Sequence, residues 1–441
     1  MICGNVSAMQ LRTAVQDRAL RADHSPGEPA GGEYGRRGRG PARRSGSLSV
    51  SRKGVSEMGD PTTPAVRIRA GSPAALLAII PHLVGFVPQS SMVVVGTEAR
   101  KCAVRITLRY DLPDPASQEL ADDIAGHAAA VLAAQGLPGA AAAGYGPAGL
   151  VRPVALALRD VMAQAGIVLA ECLRVDGGRC WSYTCGDETC CPEGTPFDAA
   201  GHAASAAMAA AGQQVLPDRA AVAATIAPVA DEAAEPMRKA TRRARRRVRQ
   251  ILAEAGGCDR PGEASGAIAS EGIAAVASMI ATYRDGGRYG TGNEVAWLTV
   301  ALTDIRVRDD AWARMDPADR DAHRRLWTDV VRRAQPGYVA APASLLALVA
   351  WQDGNGLLAN LALDRALADT PGYAMATLLR QVITAGAPPS KARPPMTPEQ
   401  VAAWYDDLDN RTGIEGKPEC LISTGSPERI SARRKQPVNA S

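Results

Sequence analysis

The chain has 441 residues, which is long for one domain and suggests two or three units with tails. Hydrophobic residues make up 46% of it, but only two are phenylalanine, a composition that favours closely packed helices of small residues. The net charge of +4 equals the excess of ten Arg and Lys over six Asp and Glu in residues 1–60. The remaining chain is near neutral, which excludes a nucleic-acid footprint spread over the whole protein.

Two features of the sequence predict a cytoplasmic protein that does not enter a membrane. The first 30 residues have no apolar segment of the kind that a secretory signal requires. The longest apolar run, "AALLAIIPHLVGFV", is too short to span a bilayer. In a reducing compartment we expect the nine cysteines to be thiols or metal ligands.

Residues 1–64 are rich in Gly, Arg, Ser and Pro, and we predict that they form a disordered basic tail. Because Met58 comes just before the first predicted strand, residues 1–57 are expected to be an extension upstream of a later start. An Arg-rich arm that binds nucleic acid is the alternative interpretation.

Strands and helices alternate over residues 65–212, which predicts an α/β N-terminal domain. The β-branched runs "VRIRA", "SMVVVGT", "AVRITLRYDL" and "VLAECLRVD" are typical of strands. Ser72 followed by Pro73 predicts the start of the first helix. Two further helices are predicted over residues 117–135 and 152–166, and "AAAAGYG" between them is ambiguous.

The strand signal ends beyond residue 216, and residues 217–386 are predicted to form an all-α helical domain. The predicted helices cover residues 220–255, 272–284, 293–305, 317–334, 343–354 and 355–368. We expect residues 387–441 to contain a linker, one short helix and a mobile, disordered tail. Thr397 and Gln400 have the spacing of a capping box at the start of that helix.

Three stretches identify a family: "SPAALLAIIPHLVGFVPQSSMVVVGT", "RCWSYTCGDETCCPEGTP" and "LTDIRVRDDAW". Together they resemble an actinobacterial family of unknown function, DUF4192, over about residues 65–388. The resemblance implies the two-domain plan and no particular activity. Where this chain has Cys180, members of that family typically have an aromatic residue, so Cys180 is not expected in a shared site.

The cysteine stretch offers a possible zinc site in which Cys185, Cys190 and Cys191 are ligands and Cys180 or His202 completes the set. Its spacing contains no C-x2-C pair, and adjacent cysteines donate to one tetrahedral ion only with strain. Nearby acidic residues also disfavour a reactive thiolate. We therefore favour a structural role, in which the cysteines are small buried residues under a hairpin beside Trp181 and Tyr183.

Two charged clusters lie in the second half of the chain. Arg306, Arg308 and Asp309 have the chemistry to clamp a ligand carboxylate or phosphate, although an ion pair between two helices is the favoured interpretation. Eight Arg and Lys lie between Arg238 and Arg249, on a helix whose apolar stripe is predicted to face the core. This basic helix is either a solvated surface or a nucleic-acid contact.

No nucleophile with a base and an acid can be named from the sequence, and no phosphate-binding glycine loop follows a strand. The first functional hypothesis is a non-enzymatic accessory protein that binds a protein partner through its helical half. The second is an enzyme or small-ligand-binding protein with a site where the two domains meet, near the cysteine stretch and Arg306. Nucleic acid is a third possible partner.

Overall fold

A computed structural model describes residues 48–51, 67–70, 72–98, 103–185, 191–211, 213–254, 261–286, 290–389 and 396–412. The chain divides into two compact units, Met1–Arg219 and Ala220–Ser441. Most of the predicted tail at residues 1–64 lies outside the described residues, and so does the tail after residue 412. Within residues 1–64, Leu48–Ser51 form a strand that the sequence does not predict.

The first unit contains a two-stranded and a six-stranded sheet. Strands β1 (Leu48–Ser51) and β2 (Arg67–Ala70) pair antiparallel. The larger sheet has the order β4-β3-β5-β6-β7-β8. Its strands are β3 (Ser91–Thr97), β4 (Val104–Asp111), β5 (Gly139–Tyr145), β6 (Val168–Asp176), β7 (Arg179–Ser182) and β8 (Thr195–Pro196). Only the β5–β6 pair is parallel, so the predicted alternation of strands and helices forms a mixed sheet with a single βαβ unit.

Helices cover both faces of the six-stranded sheet. They are α1 (Pro73–Val84), α2 (Gln118–Ala134), α3 (Ala148–Gln164) and α4 (Ala203–Ala210). One core cluster packs α2 and α3 against Ala140 and Ala142 of β5, and the other packs α1 and α4 against Ala141 and Ala143. As predicted, Ser72 caps α1: its hydroxyl accepts a hydrogen bond from the Ala75 amide at 3.2 Å.

The ambiguous segment "AAAAGYG" forms the central strand β5, although alanine has little preference for strands. Burial explains this outcome, because helices pack on both faces of β5 and only small side chains fit between the layers. A Cβ atom built on Gly144 would lie 2.2 Å from a methyl group of Val151 on α3, and one on Gly96 of β3 would lie 2.2 Å from Leu132 on α2.

Among its described residues, the second unit consists of helices and no strand. They are α5 (Arg219–Thr225, which begins at the unit boundary), α6 (Asp231–Glu254), α7 (Pro261–Arg284), α8 (Gly292–Ala301), α9 (Ile305–Ala313), α10 (Arg320–Arg333), α11 (Ala340–Gln352), α12 (Gly356–Asp369), α13 (Ala374–Thr384) and α14 (Pro398–Thr412). A 3-10 turn, Pro317–Asp319, precedes α10. The single helix predicted over residues 220–255 is wrong, because the chain leaves the helix between α5 and α6, where Pro228 lies.

Helix α11 is the centre of the second unit, since every residue from Ala340 to Trp351 is buried. It packs against α10, α12 and α13. The carboxylate of Asp369, the last residue of α12, accepts hydrogen bonds from the amides of Gly337, Val339 and Ala340. These bonds satisfy amides at the start of α11 and place a negative charge at its positive end.

Within the described residues, one helical segment has the length and apolar composition to cross a bilayer. This segment, Gly266–Arg284, forms most of α7, and a third of it is buried in the protein. Core helices of water-soluble proteins pass the same test, so the segment is weak support for a membrane span.

Replacing Gly144 by alanine should destabilise the first unit by about 1–3 kcal/mol, because the added methyl group overlaps Val151. Gly126→Ala on the exposed face of α2 is the matched control, since a Cβ there meets no atom within 4 Å. This control should be neutral or stabilising by about 0.5–1 kcal/mol. Hydrogen exchange of the β3 and β5 amides in increasing urea measures both effects, and equal stabilities of the two variants would contradict the packing argument.

Candidate functional site

A cavity of about 680 Å³ lies in the first unit, at the edge where the parallel strands β5 and β6 end. Tyr145 and Asp176, the last residues of these strands, line it together with Ser90, which precedes β3. Helix α1, the segment after β8 and the start of α4 form the other walls. Ligands of open α/β sheets bind outside the carboxyl ends of parallel strands, which makes this edge the candidate site.

Two backbone turns shape the rim of the cavity. Gly146 follows β5 with a φ of 137°, and its amide donates to the Val175 carbonyl at 2.9 Å. Ser90 has a φ of 41°, a left-handed conformation that is uncommon outside glycine, and its carbonyl accepts from the Leu112 amide at 2.9 Å. Left-handed turns at both positions direct the chain away from the edge of the sheet and leave the cavity open.

His82, near the end of α1, is 8% exposed and lines the cavity. Its Nδ1 lies 3.1 Å from the Gln213 carbonyl oxygen, and its Nε2 lies 2.9 Å from the Ser205 hydroxyl on α4. A carbonyl oxygen only accepts, so in the neutral ring Nδ1 carries the proton and Nε2 accepts from Ser205. Two hydrogen bonds thus fix the tautomer and the orientation of this imidazole.

The segment that carries Gln213 is held beside α1 by backbone pairing. Helix α1 ends at Gly85, whose φ of 86° turns the chain. The Gly85 carbonyl accepts from the Leu216 amide, and the Val87 amide donates to the Leu216 carbonyl. These two bonds bring the chain after α4 back to the end of α1, within reach of His82.

Tyr145 places an unpaired hydroxyl in the core beside the cavity. Its side chain is buried, and the hydroxyl has no hydrogen-bond partner among the described residues. Burial raises the pKa of this phenol, so it stays protonated and remains a donor. A buried polar group without a partner costs free energy, and a ligand or water that accepts from it would recover that cost.

The charged groups on the cavity are acidic. Asp176 lines one side and receives a hydrogen bond from Arg174 at 3.1 Å, and Asp198 lines another and accepts from the Ala200 amide at 3.0 Å. None of the described residues that line the cavity is Lys or Arg. Because the remaining lining is mostly apolar, the cavity favours a neutral or cationic molecule over an anion.

The cysteine stretch begins with β7, the second strand of the β6–β7 hairpin. Two side chains of β7 contact the part of the stretch that comes later in the chain. Arg179 donates to the carbonyls of Glu193 and Gly194, and the Trp181 indole donates to the Pro192 carbonyl at 3.2 Å. The guanidinium of Arg174 stacks on the Trp181 ring at 3.5 Å from its centroid. These contacts hold residues 192–194 beside β7, whereas residues 186–190 lie outside the described part of the chain.

Burial of the cysteines is only partly as predicted. Cys180 is half-buried. Burial is the larger cause of the raised pKa of its thiol, and the nearby Cys191 raises this pKa further. Cys185 and Cys191 are exposed, so their predicted role as buried filling is wrong: they lie between the short strands β7 and β8, and neither belongs to the two core clusters described above. Cys190 lies outside the described residues.

No group of three or more His, Cys, Asp or Glu side chains in the described part of the chain is arranged to hold a metal ion. Because Cys190 is not among these residues, zinc ligation by Cys185, Cys190 and Cys191 stays a prediction.

Arg306, Arg308 and Asp309 lie on α9, and contacts within the second unit engage all three. Arg308 donates twice to Asp309 Oδ1, at 2.6 and 2.8 Å. The hydroxyl of Tyr405 on α14 donates to Asp309 Oδ2 at 2.7 Å, and the Arg306 guanidinium lies 5.4 Å from the Tyr405 ring centroid. This cluster ties α14 to α9, a contact that the sequence does not predict.

The basic helix α6 has the apolar stripe that the sequence predicts, since Met237, Ala240, Ala244 and Ile251 are buried and Val248 is partly buried. Several of its cations have partners inside the second unit. Arg238 and Arg242 pair with Glu235, Arg243 donates to Asn293, and Arg247 pairs with Glu271. Residues of the second unit thus neutralise part of the positive charge on the exposed face of α6.

Sequence reasoning misses the contact between His82 and Ser205, which are 123 residues apart. The one local signal is a histidine inside the apolar run of α1, where a buried ring requires hydrogen-bond partners. Tyr145 is missed because it lies at the end of the segment whose structure is ambiguous.

Comparison with known proteins places the chain by family only. The model of one family, described as "Domain of unknown function (DUF4192)", matches residues 73–390. No curated protein and no solved structure matches the chain. The matched range contains the whole candidate site and α9, whereas α14 follows it.

Tyr405→Phe should loosen α14, because the variant loses the donor to Asp309 and leaves a half-buried carboxylate short of one hydrogen bond. We expect a loss of about 0.5–1.5 kcal/mol in the free energy that opens α14, measured by hydrogen exchange of its amides. Ala403→Gln, on the exposed side of α14, is the control and should change little. Unchanged exchange in Tyr405→Phe would show that the hydrogen bond does not hold the helix.

Proposed function

We propose that this chain, which belongs to the DUF4192 family, binds a small organic molecule in the cavity of its first unit. The observation that carries the proposal is the position of the cavity, which lies where the parallel strands β5 and β6 end. Cavities of roughly 300–1,000 Å³ with apolar walls and a few polar groups are typical of small-molecule sites. The 680 Å³ cavity lies in that range.

The lining groups define the ligand. An apolar body would pack against Leu77, Val87 and Phe197, and an acceptor atom would receive a hydrogen bond from a polar lining side chain such as Gln89 or Ser90. Asp176 and Asp198 add negative potential at the rim. We therefore expect an uncharged or cationic molecule that carries a carbonyl or ether oxygen.

This proposal differs in position from the ligand site expected where the two domains meet. The cavity is built from the first unit alone, whereas Arg306, Arg308 and Asp309 belong to the second unit and contact α14. A site that combines them with the cysteine stretch stays a prediction. So do zinc ligation and a cytoplasmic location.

Binding can be tested with ligand-observed NMR against a library of neutral and cationic fragments that contain one ring and one carbonyl. Ala200→Trp should abolish the hits, because Ala200 lines the cavity and an indole there fills it. Ala206→Trp on the exposed side of α4 is the matched control and should retain them. Hits that survive Ala200→Trp would place binding elsewhere and overturn the proposal.

A second candidate is the accessory role, in which the second unit binds a protein partner. Leu378 and Val382 on α13 are 60% and 38% exposed and lie four residues apart, so they form one apolar stripe. Trp404 and Leu408 on α14 have the same spacing and are exposed as well. Apolar stripes of this kind are more typical of contact surfaces than single exposed residues are.

A photo-crosslinking residue at position 378 tests the accessory role in living cells. We expect one dominant crosslinked protein, lost when Val382 is changed to Asp because a charge disrupts an apolar contact. The same crosslinker at exposed Glu119 in the first unit is the control and should not capture that protein. Identical crosslinks at both positions would refute a specific surface. Nucleic-acid binding by α6 stays a third possibility, and the partial neutralisation of that helix reduces the charge available to it.

A further inference from the structure

We infer that Ser205 and His82 form a nucleophile–base pair and that the cavity hydrolyses an uncharged carboxylic ester. The inference rests on the proposed function, because the ester must first bind in the cavity. The observation behind it is the chain of two hydrogen bonds from the Ser205 hydroxyl through the His82 ring to the Gln213 carbonyl, at 2.9 and 3.1 Å.

The direction of these bonds suits catalysis. The Gln213 carbonyl holds the proton of the neutral ring on Nδ1, so the lone pair of Nε2 points at the Ser205 hydroxyl and accepts its hydrogen. A nucleophile, a base within 3.2 Å and a third group that orients the base is the arrangement that activates serine in acyl transfer. Here a backbone carbonyl takes the place of the usual carboxylate.

Position also favours a chemical role over a purely structural one. Both side chains line the cavity, with His82 buried and Ser205 partly exposed to the space where a substrate would lie. Serine inside a helix often bonds to a carbonyl of the preceding turn, whereas the Ser205 hydroxyl is directed to the imidazole. The helix does not need this hydroxyl, because the Ser205 and Ala206 amides are satisfied by the His202 carbonyl.

The chemistry balances with water as the only co-reactant. Ser205 Oγ attacks the ester carbonyl carbon and forms a C–O bond while its proton passes to His82 Nε2. The intermediate then collapses, the bond to the alcohol oxygen breaks, and His82 returns the proton to the leaving alcohol. A water molecule attacks the acyl-serine, gives a proton to His82, and Ser205 leaves with that proton as the acid is released.

The lining selects the substrate class. Apolar walls accommodate an aliphatic or aromatic acyl chain, and the absence of Lys and Arg among the described lining residues disfavours phosphorylated or otherwise anionic esters. The Tyr145 hydroxyl is a further donor beside the same cavity. A short uncharged ester such as p-nitrophenyl butyrate is therefore a suitable test substrate.

Covalent labelling of the full chain with an uncharged alkyl fluorophosphonate tests the nucleophile. Ser205 Oγ should bond to phosphorus, fluoride should leave, and peptide mapping should find the adduct on Ser205. Ser205→Ala should abolish labelling and butyrate hydrolysis, and Ser182→Ala, a serine of β7 that does not line the cavity, should label like the unmodified protein. His82→Ala should slow labelling on the order of 100-fold, the usual contribution of a general base.

A second variant keeps the test valid if His82→Ala fails to fold. In Ser205→Cys, the imidazole should take the thiol proton, so alkylation by iodoacetamide should have a pH midpoint well below the ordinary thiol value of about 8.5. Ala206→Cys, exposed on the same helix and without the imidazole, should react with the ordinary midpoint.

The outcomes separate this inference from the proposed function. If fragments bind but Ser205 gains no adduct and Ser205→Cys reacts like Ala206→Cys, the hydrolase is overturned and the binding site stands. If the folded His82→Ala variant is labelled at Ser205 as fast as the unmodified protein, the role of His82 as the base is overturned. If neither fragments nor the fluorophosphonate bind, both proposals fail.

Discussion

The close approach of helices to the central strand β5 is the constraint on which the first unit depends. Four consecutive alanines, Ala140–Ala143, alternate between the two faces of the strand, and each face meets a different helix layer. At Gly144 a Cβ atom would overlap the side chain of Val151, because α3 lies close to the strand there. Larger residues would separate the layers by the width of a side chain, so the small residues fix the distance between helix and sheet.

That spacing also explains where the cavity lies. Ala141, Ala143 and Tyr145 point to the same face, towards α1. On this face Ala141 and Ala143 pack in the same core cluster as α1, and the strand then ends in the large side chain of Tyr145. Since α1 turns away at Gly85 and β5 turns away at Gly146, a gap remains at the edge of the sheet, and Tyr145 borders it.

Local signals in the sequence predict much of the fold but little of the site. Ser72 and Thr397 cap their helices as predicted, because capping depends on residues three positions apart. The structure of β5 depends instead on burial by helices that are distant in the sequence. The intrinsic strand propensity of its residues does not include this effect. The docking of α14 through Tyr405 and the pairing of His82 with Ser205 are long-range contacts between single polar residues. The sequence has no periodic pattern that indicates such contacts, so they can be identified only in the folded structure.

The segments that identify the family and the segments that build the cavity overlap, but incompletely. Among the described residues, nineteen line the cavity, and eight of them come from the stretch "SPAALLAIIPHLVGFVPQSS", which contains His82. Ser205 lies instead in the alanine-rich stretch "GHAASAAMAA", outside the three motifs. The imidazole and one part of the cavity wall thus belong to a stretch that the family resemblance rests on, and the hydroxyl does not. Under the proposed hydrolysis, a chain with the same cavity and alanine at position 205 would still bind the ester but would lack the nucleophile, so binding and catalysis would depend on different segments of the chain.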